Sequence, residues 1–451
     1  MARATPRGAS ALSIVRLSGD DAIVIANSVF DGRNLSEMVS HTAAVGYLRG
    51  HQQEAVDHVV ATVYKAPQTA TGENIVEFTC HGGDVASDET LKVLIHAGAR
   101  MAGPGEFTLR AFLNGKVDLA QAESIGELIH AKSVRSNRVS VSHLRGEYSS
   151  ELSSIRAGLL ELLALIELEL DFSEEDVEFA DKERLEQLLA LALSKMDVLV
   201  SSFRLGNALS NGIRIVIAGR PNAGKSTLMN AILGYDRVIV SDIPGTTRDE
   251  IEASLEFNGI PYQFVDTAGI RETDDLIEAE GVRRSHKALS SADVLLYLVD
   301  LASDSTGDEV TFAHQIGKNN PGLSVLLVGN KADLIKSGQD ASQFAVVLSA
   351  KDLQSDEQGI RDLMQNIERI TLGDAALSDE HHVVTSQRHQ VHLREARNAA
   401  IRASEQLVAG GSGDMLSADV RSIIEHIGSI TGEVTNEDVL SQIFSSFCIG
   451  K

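Results

Sequence analysis

The stretch "GRPNAGKS", Gly219 to Ser226, sets two glycines, a lysine and a hydroxyl at the spacing G-x-x-x-x-G-K-[ST]. That spacing suits phosphate. Glycines let backbone amides curl around oxygens, and a following helix start adds positive potential. Lys225 is expected to reach the outer phosphates, and Ser226 to hold magnesium. Asn222, Ala223, Gly224 and Thr227 complete the cradle. The apolar run Ile213 to Ala218 before it and "TLMNAIL" after it supply the strand–loop–helix context that separates a working loop from a chance match.

Further stretches follow in order. "DTAG", Asp266 to Gly269, comes after the apolar run Tyr262 to Val265; Asp266 would hold magnesium through water, and the Gly269 amide would sense a terminal phosphate. "NKAD", Asn330 to Asp333, follows Ser324 to Gly329. A carboxylate such as Asp333 accepts from the two N–H donors of guanine and repels the acceptor adenine presents there. Lys331 belongs to the same stretch, and "SAK", Ser349, Ala350 and Lys351, should close over the base. Together these resemble the translation-factor-type GTPases. "GTTRD", Gly245 to Asp249, falls where the first switch belongs, with Thr247 as second magnesium ligand. Where Ras-like enzymes place a water-orienting glutamine, this chain has Ile270. Glu278 is a candidate to orient the water. Asn222 is a candidate to hold a potassium ion, although an asparagine in such a loop ordinarily just stabilises the turn.

The chain finishes "SSFCIGK". A free cysteine is usually a small buried hydrophobe, and Cys80 is read that way. Cys448 is different in setting, because Ile443, Phe444 and Phe447 can anchor the preceding helix and Gly450 can bend the backbone beyond it.

The elements that must position these groups are legible as patterns. At 451 residues the length suggests about three domains. Two cysteines make no disulfide framework, and no apolar stretch approaches the roughly 20 residues of a membrane span, so a cytoplasmic location is expected. The formal charge of −24 repels nucleic acid on average, and aromatics at 4% argue against an extensive base-stacking surface. Short β-branched runs such as "VVATVY" and "NIVEF" mark an α/β unit over residues 1–114. Stripes at Leu152, Ile155, Leu159, Leu162, Ile166, Leu170 and at Leu185, Leu188, Ala192, Met196, Leu199 predict two antiparallel helices within 115–211, joined by the acidic "DFSEEDVEFADKE". Apolar runs alternating with helical patterns predict a doubly wound sheet over 212–373. From Ser378 the chain reads as helix again, and 374–451 ends in a helix capped near Thr435 and Asn436. The fold class is therefore multidomain α/β plus all-α, with a P-loop GTPase domain inserted into a helical domain and an α/β domain in front.

This order, with "GPGEFTLRAFLNGKVDLAQAE", "DIPGTTRDE", "DTAGIRE" and the terminal "FCIGK", resembles the tRNA wobble-uridine modification GTPases, the MnmE/TrmE family, over nearly the whole chain. The resemblance implies a potassium-activated GTPase whose G domains dimerise during turnover. Potassium would be surrounded by Asn222, Ser241, Ile243 and Thr246, with Ser241 and Thr246 also in the GTP set. Glu278, Arg248 and Cys448 would be catalytic. It also implies that the first domain is a folate domain that dimerises and binds 5-formyl- or methylene-tetrahydrofolate through Arg16, Glu77, Lys116 and Lys451, toward which the tail would project. A homodimer would act with the FAD-dependent partner MnmG, in a heterotetramer or larger complex, on carbon 5 of wobble uridine in tRNA. That partner would carry most of the tRNA contact, and the basic stretch from His381 to Arg402 would add to it unless it is an ordinary helix face. The chain begins almost on top of "ATPRG", which leaves little length for a first strand, and "GASALS" replaces a glycine-rich run before Arg16. A binding-switch GTPase of ribosome assembly is the alternative, against which stands the lack of a basic RNA-binding appendage.

Overall fold

A computed structural model of the chain describes residues 1–171, 182–234, 253–266, 288–303, 306–334, 341–354, 357–373 and 382–450. The chain divides into two compact units. One holds Met1–Gly126, His143–Leu152 and Glu425–Lys451; the other holds Glu127–Ser142 and Ser153–Ile424.

The first unit is built on β1 (Ala2–Arg3), β2 (Leu12–Ser18), α1 (Ala22–Val29), β3 (Phe30–Asp31), β4 (Thr42–Arg49), β5 (Ala55–Tyr64), β6 (Ile75–His81) and α2 (Asp84–His96). Every adjacent pair in its sheet, ordered β1-β2-β6-β5-β4-β3, is antiparallel. The first strand exists despite its short run-up: Ala2 pairs with Arg16 and Arg3 with Val15. Alternation along β2 explains its two jobs. Val15 and Leu17 are buried in the core with Phe78 and Leu94, while Arg16 and Ser18 face the other way. On from there run α3 (Glu106–Leu113), α4 (Leu119–His130), α5 (Val134–Leu144) and α6 (Glu147–Asp171).

In the second unit the rest of α6, from Ser153, and α7 (Lys182–Asn211) bury their apolar stripes: Ile155 to Ile166 and Leu185 to Leu199 each step along a covered face. The connection between them falls at residues 172–181, outside the described residues.

The nucleotide-type domain then follows as β7 (Ile213–Ala218), α8 (Lys225–Leu233), β8 (Ala253–Phe257), β9 (Ile260–Asp266), β10 (Val294–Asp300), α9 (Thr306–Asn319), β11 (Ser324–Asn330), β12 (Val346–Val347) and α10 (Glu357–Leu372). Its sheet runs β12-β11-β10-β7-β9-β8 and is parallel except at β8. Both faces are covered, as the unbroken apolar runs require. Along β10, Val294, Leu296 and Leu298 enter one core while Leu295, Tyr297 and Val299 enter the other.

Helices α11 (Gln387–Ala409), α12 (Gly413–Thr431) and α13 (Glu437–Ser445) complete the chain. The helix expected from Ser378 starts later: His382 to Ser386 precede α11, and Val383 and Val384 are fully buried there. Gly206 of α7 permits that approach, because a Cβ on it would lie 2.0 Å from the Val384 carbonyl oxygen. Ser202 Oγ accepts from the Val384 amide at 3.0 Å. Burial of this extended segment overrides its helical pattern.

Candidate functional site

Parallel strands bring their carboxyl ends to one edge, and the crevice opens where strand order reverses, between β7 and β10. The predicted nucleotide residues that are described lie along this edge. The loop after β7 is Gly219 to Gly224, β9 ends at Asp266, β10 ends at Asp300, and β11 ends at Asn330. Asn222 sits in the left-handed region at φ 65°, and Gly224 follows at φ 99°. Gly224 has a second reason to be glycine: a Cβ would lie 2.2 Å from Asn330 Nδ2.

Asn330 is 2% exposed and joins separate motifs. Its Nδ2 donates to the Ala223 carbonyl at 2.7 Å, and its Oδ1 accepts from the Ala350 amide at 2.8 Å. The phosphate loop, the "NKAD" stretch and the "SAK" stretch are thus one hydrogen-bonded body. Lys225 Nζ donates to the carbonyls of Gly219 and Arg220 at 2.9 and 3.0 Å, which lays the ammonium over the loop. Ser226, Asp333 and Lys351 are exposed, Thr227 and Ser349 half-buried, Ala350 buried. Lys331 turns at φ 63° and its Nζ meets Asp300 Oδ2 at 2.5 Å. Asp300 was not read from the sequence. Its signal was an acid at the carboxyl end of a parallel strand. Ser241, Ile243, Thr246, Thr247, Arg248, Gly269, Glu278 and Lys451 lie outside the described residues, as does the side chain of Asp266.

In the first unit two of the expected folate residues prove to be neighbours. Arg16 on β2 is registered directly against Glu77 on β6. Their side chains pair at 2.7 Å from Nε to Oε1. Tyr64 Oη donates to Glu77 Oε2 at 3.4 Å, and the Arg16 guanidinium lies 5.8 Å from the centre of the Phe107 ring. Burial, then the Glu77 charge, raises the Tyr64 phenol above its ordinary pKa. Lys116 is not joined to this pair. It is exposed on the turn after α3, its stem near Gly72. Sequence reasoning missed a polar chain beside them. Ser18 Oγ meets Glu73 at 2.8 Å, Glu73 meets Arg110 at 2.7 Å, and Arg110 meets Glu106 at 2.6 Å. Hydrogen bonds from Arg100 foremost, with the Gly103 amide and Arg110, hold Glu106 down at about 2 against the opposing effect of burial.

The tail folds onto this same unit. Asn436 caps α13 by accepting from the Val439 amide at 2.9 Å. Phe444 is buried with Leu119 and Ala122, and Leu109, Phe112, Ile443 and Phe447 pack around them. Beyond the helix, the Gly105 amide donates to the Cys448 carbonyl at 3.4 Å, and Ile449 bridges to Pro104. Gly450 turns at φ 103°, where a Cβ would lie 2.4 Å from the Arg3 carbonyl oxygen. The Cys448 side chain is exposed. Cys80 is buried, as expected of a packing residue, and burial raises its thiol to about 11.

The basic stretch is largely committed to structure. Arg397 pairs with Asp197, Arg402 with Asp419 at 2.9 Å, and His389 is 2% exposed. The described part of this stretch is therefore in good measure a packed helix face rather than a free nucleic-acid surface. No described helix is long and apolar enough to cross a membrane.

Comparison with known proteins agrees along the whole chain. The family described as "GTP-binding protein TrmE N-terminus" matches residues 1–116, and that described as "MnmE helical domain" matches residues 119–448. The tRNA modification GTPase MnmE of Salinibacter ruber is 49% identical, covering 99% of this chain and 98% of its own length. Those of Chlorobaculum tepidum and Cytophaga hutchinsonii are 41% and 40% identical, covering 99% and 100% of this chain and 96% and 97% of theirs. A solved structure, the G domain of the T. maritima FeoB iron transporter, aligns with 35% of this chain and 98% of its own at 18% identity and a TM-score of 0.26. With family models matched along nearly its whole length and full-length relatives of one kind, the chain belongs to the MnmE family of tRNA modification GTPases.

Proposed function

We propose that this GTPase is potassium-activated and works with a FAD-dependent partner of the MnmG kind. Together they add an aminomethyl or carboxymethylaminomethyl group at carbon 5 of wobble uridine, drawing on a tetrahydrofolate one-carbon unit. The observation that carries this reading is the tail: Cys448 and Ile449 lie against Gly105 and Pro104, in the unit that also holds the Arg16–Glu77 pair.

The residues present suit a folate. Glu77 offers a carboxylate to N–H donors, Arg16 and Lys116 offer positive charge to a glutamate tail, and the Tyr64 and Phe107 rings border the pair. Lys451 would add a further charge. A bound folate supplies the one-carbon unit. The chain's own part is to hold the carrier between β2, β6 and α3 and to present the Cys448 thiol from a tail fixed at Gly105 and Arg3. On the GTPase side, Ser226 with Thr247 would hold magnesium. Asn222, Ser241, Ile243 and Thr246 would hold potassium, whose charge replaces an arginine finger. Glu278 would orient water in place of the glutamine that Ile270 displaces, and Arg248 would be the other catalytic residue of this domain. Asn222 is exposed, and its backbone is left-handed at φ 65° in the phosphate loop, where such an ion would sit.

The division 1–114, 115–211, 212–373 and 374–451, a homodimer, a heterotetramer or larger complex with the partner, and a cytoplasmic location belong to the same proposal. Mass spectrometry of tRNA nucleosides from cells lacking the gene tests it. Loss of the carbon 5 modification is expected, and unaltered wobble uridines contradict it. GTP turnover faster in potassium than in sodium is the accompanying expectation.

A further inference from the structure

The strands β8 and β9 are joined by a turn that a helix outside the nucleotide domain holds. The turn is Asn258-Gly259, with φ of 50° and 76°, the left-handed pair that a two-residue hairpin demands. Gly259 faces Arg135 of α5 so closely that a Cβ would lie 2.9 Å from Arg135 Cβ and 3.4 Å from its Cδ. The methylene stem of Arg135 therefore lies flat on the glycine. One helical turn further along α5, Val139 is fully buried in the same core as Leu205, Leu209, Ile213 and Tyr262. From the other side Asn258 Nδ2 donates to Glu368 Oε2 of α10 at 3.0 Å. Both the Arg135 and Glu368 charges act on the buried Tyr262 phenol, whose pKa burial raises first, Glu368 raises further and Arg135 lowers.

What this grip controls follows from the strand it ends on. β9 starts at Ile260 beside the turn and finishes at Asp266 in the magnesium stretch. It runs parallel to β7, with Ile213 opposite Tyr262 and Ile217 opposite Asp266, and β7 carries the phosphate loop. Gln263 Nε2 donates to the Asn211 carbonyl at 2.9 Å, so the end of α7 holds β9 as well. A hydrogen-bonded strand of this length spans about 20 Å and moves as one piece. A shift at Gly259 therefore appears at Asp266, relative to the phosphate loop. We propose that Arg135 is a positioning residue for GTP hydrolysis, setting the place of the β8–β9 turn and thereby of the strand end that meets the nucleotide.

The test uses the full-length chain, with GTP turnover and equilibrium binding of a fluorescent GDP measured side by side. Arg135→Ala is expected to lower kcat about fivefold while GDP affinity stays within about twofold, because the joint's described contacts run to Arg135 and Glu368 and act through the far end of β9. Arg135→Met keeps the stem over Gly259 and is expected to restore the wild-type kcat. A wild-type kcat in Arg135→Ala overturns the proposal, and so does a loss that Arg135→Met fails to recover. Where Arg135→Ala abolishes nucleotide binding altogether, Gly259→Ala decides. It presses a methyl group on the same stem, and a wild-type kcat in that variant overturns the proposal.

Discussion

The two sheets of this chain place their candidate functional groups by opposite means. In the parallel sheet the side chains are spent on two apolar cores, and the nucleotide is left to loops at the strand ends. Left-handed residues such as Asn222, Gly224 and Lys331 shape those loops, so the predicted nucleotide groups are contiguous in sequence. In the antiparallel sheet one face is core, and the other carries Arg16, Ser18 and Glu77 directly on the strands. Arg16 and Glu77 are 61 residues apart and meet through register. A site built from loops is local and self-announcing. A site built from strand faces is distributed, and its members look like ordinary surface charges until the strands are paired.

The largest effect that could break this comparison comes from Asn330. Its side chain makes the loop site one body, so Asn330→Ala leaves the buried Ala223 carbonyl and Ala350 amide without their partner. Two such losses cost about 3 kcal/mol together, and GDP affinity should fall about a hundredfold in an equilibrium titration. An affinity within threefold of wild type would mean the motifs hold the nucleotide separately. Next comes Glu77→Gln. It removes the charge opposing Arg16 and should weaken binding of 5-formyl-tetrahydrofolate about tenfold by calorimetry, while GTP turnover stays unchanged. Equal binding would take the folate role from this strand face. Gly450→Ala sharpens the tail's place. At φ 103° and with Arg3 in the way, the variant should lose tail docking at about 1–3 kcal/mol, seen as faster carboxypeptidase trimming, with GTP turnover intact.

The smallest effect is acid sensitivity at Glu106. Its folded pKa of about 2 lies below the ordinary carboxyl value of 4.5. The stability it contributes is thus present above pH 4.5 and is lost as pH falls toward 2. Glu106→Gln should flatten that part of the acid-unfolding curve and leave neutral pH nearly alone. An unchanged acid limb would show that the Arg100 and Arg110 pairs are solvent-screened.

Much of the nucleotide half was readable because its chemistry is short-range. Gly219 to Ser226, Asp266, Asn330 and Ser349 all fall at strand ends as their motifs required. The role of Asn330 as an internal clamp was not readable, since a side chain's partners lie across the fold. β8 escaped as well. Ala253, Leu255 and Phe257 are buried in alternation with Ser254 and Glu256, the pattern of an antiparallel edge, whereas unbroken apolar runs reveal only strands covered on both faces. The start of α11 was placed too early because Val383 and Val384 are apolar for burial against α7, not for helical periodicity. In the first unit the helix packing of Phe444 and Phe447 and the bend at Gly450 were legible from residue type. Arg16 and Glu77 drew attention only through the resemblance, and nothing in the sequence marked Tyr64, Glu73 or Arg110 as their neighbours.

Cells carrying Cys448→Ser as the sole copy offer the most direct measurement. Their tRNA nucleosides are resolved by mass spectrometry, and GTP turnover is measured on the purified variant. The account predicts wobble uridines without the carbon 5 group alongside turnover within about twofold of wild type. Fully modified uridines in that strain would contradict it, because the exposed thiol of the docked tail would then have no part in the chemistry.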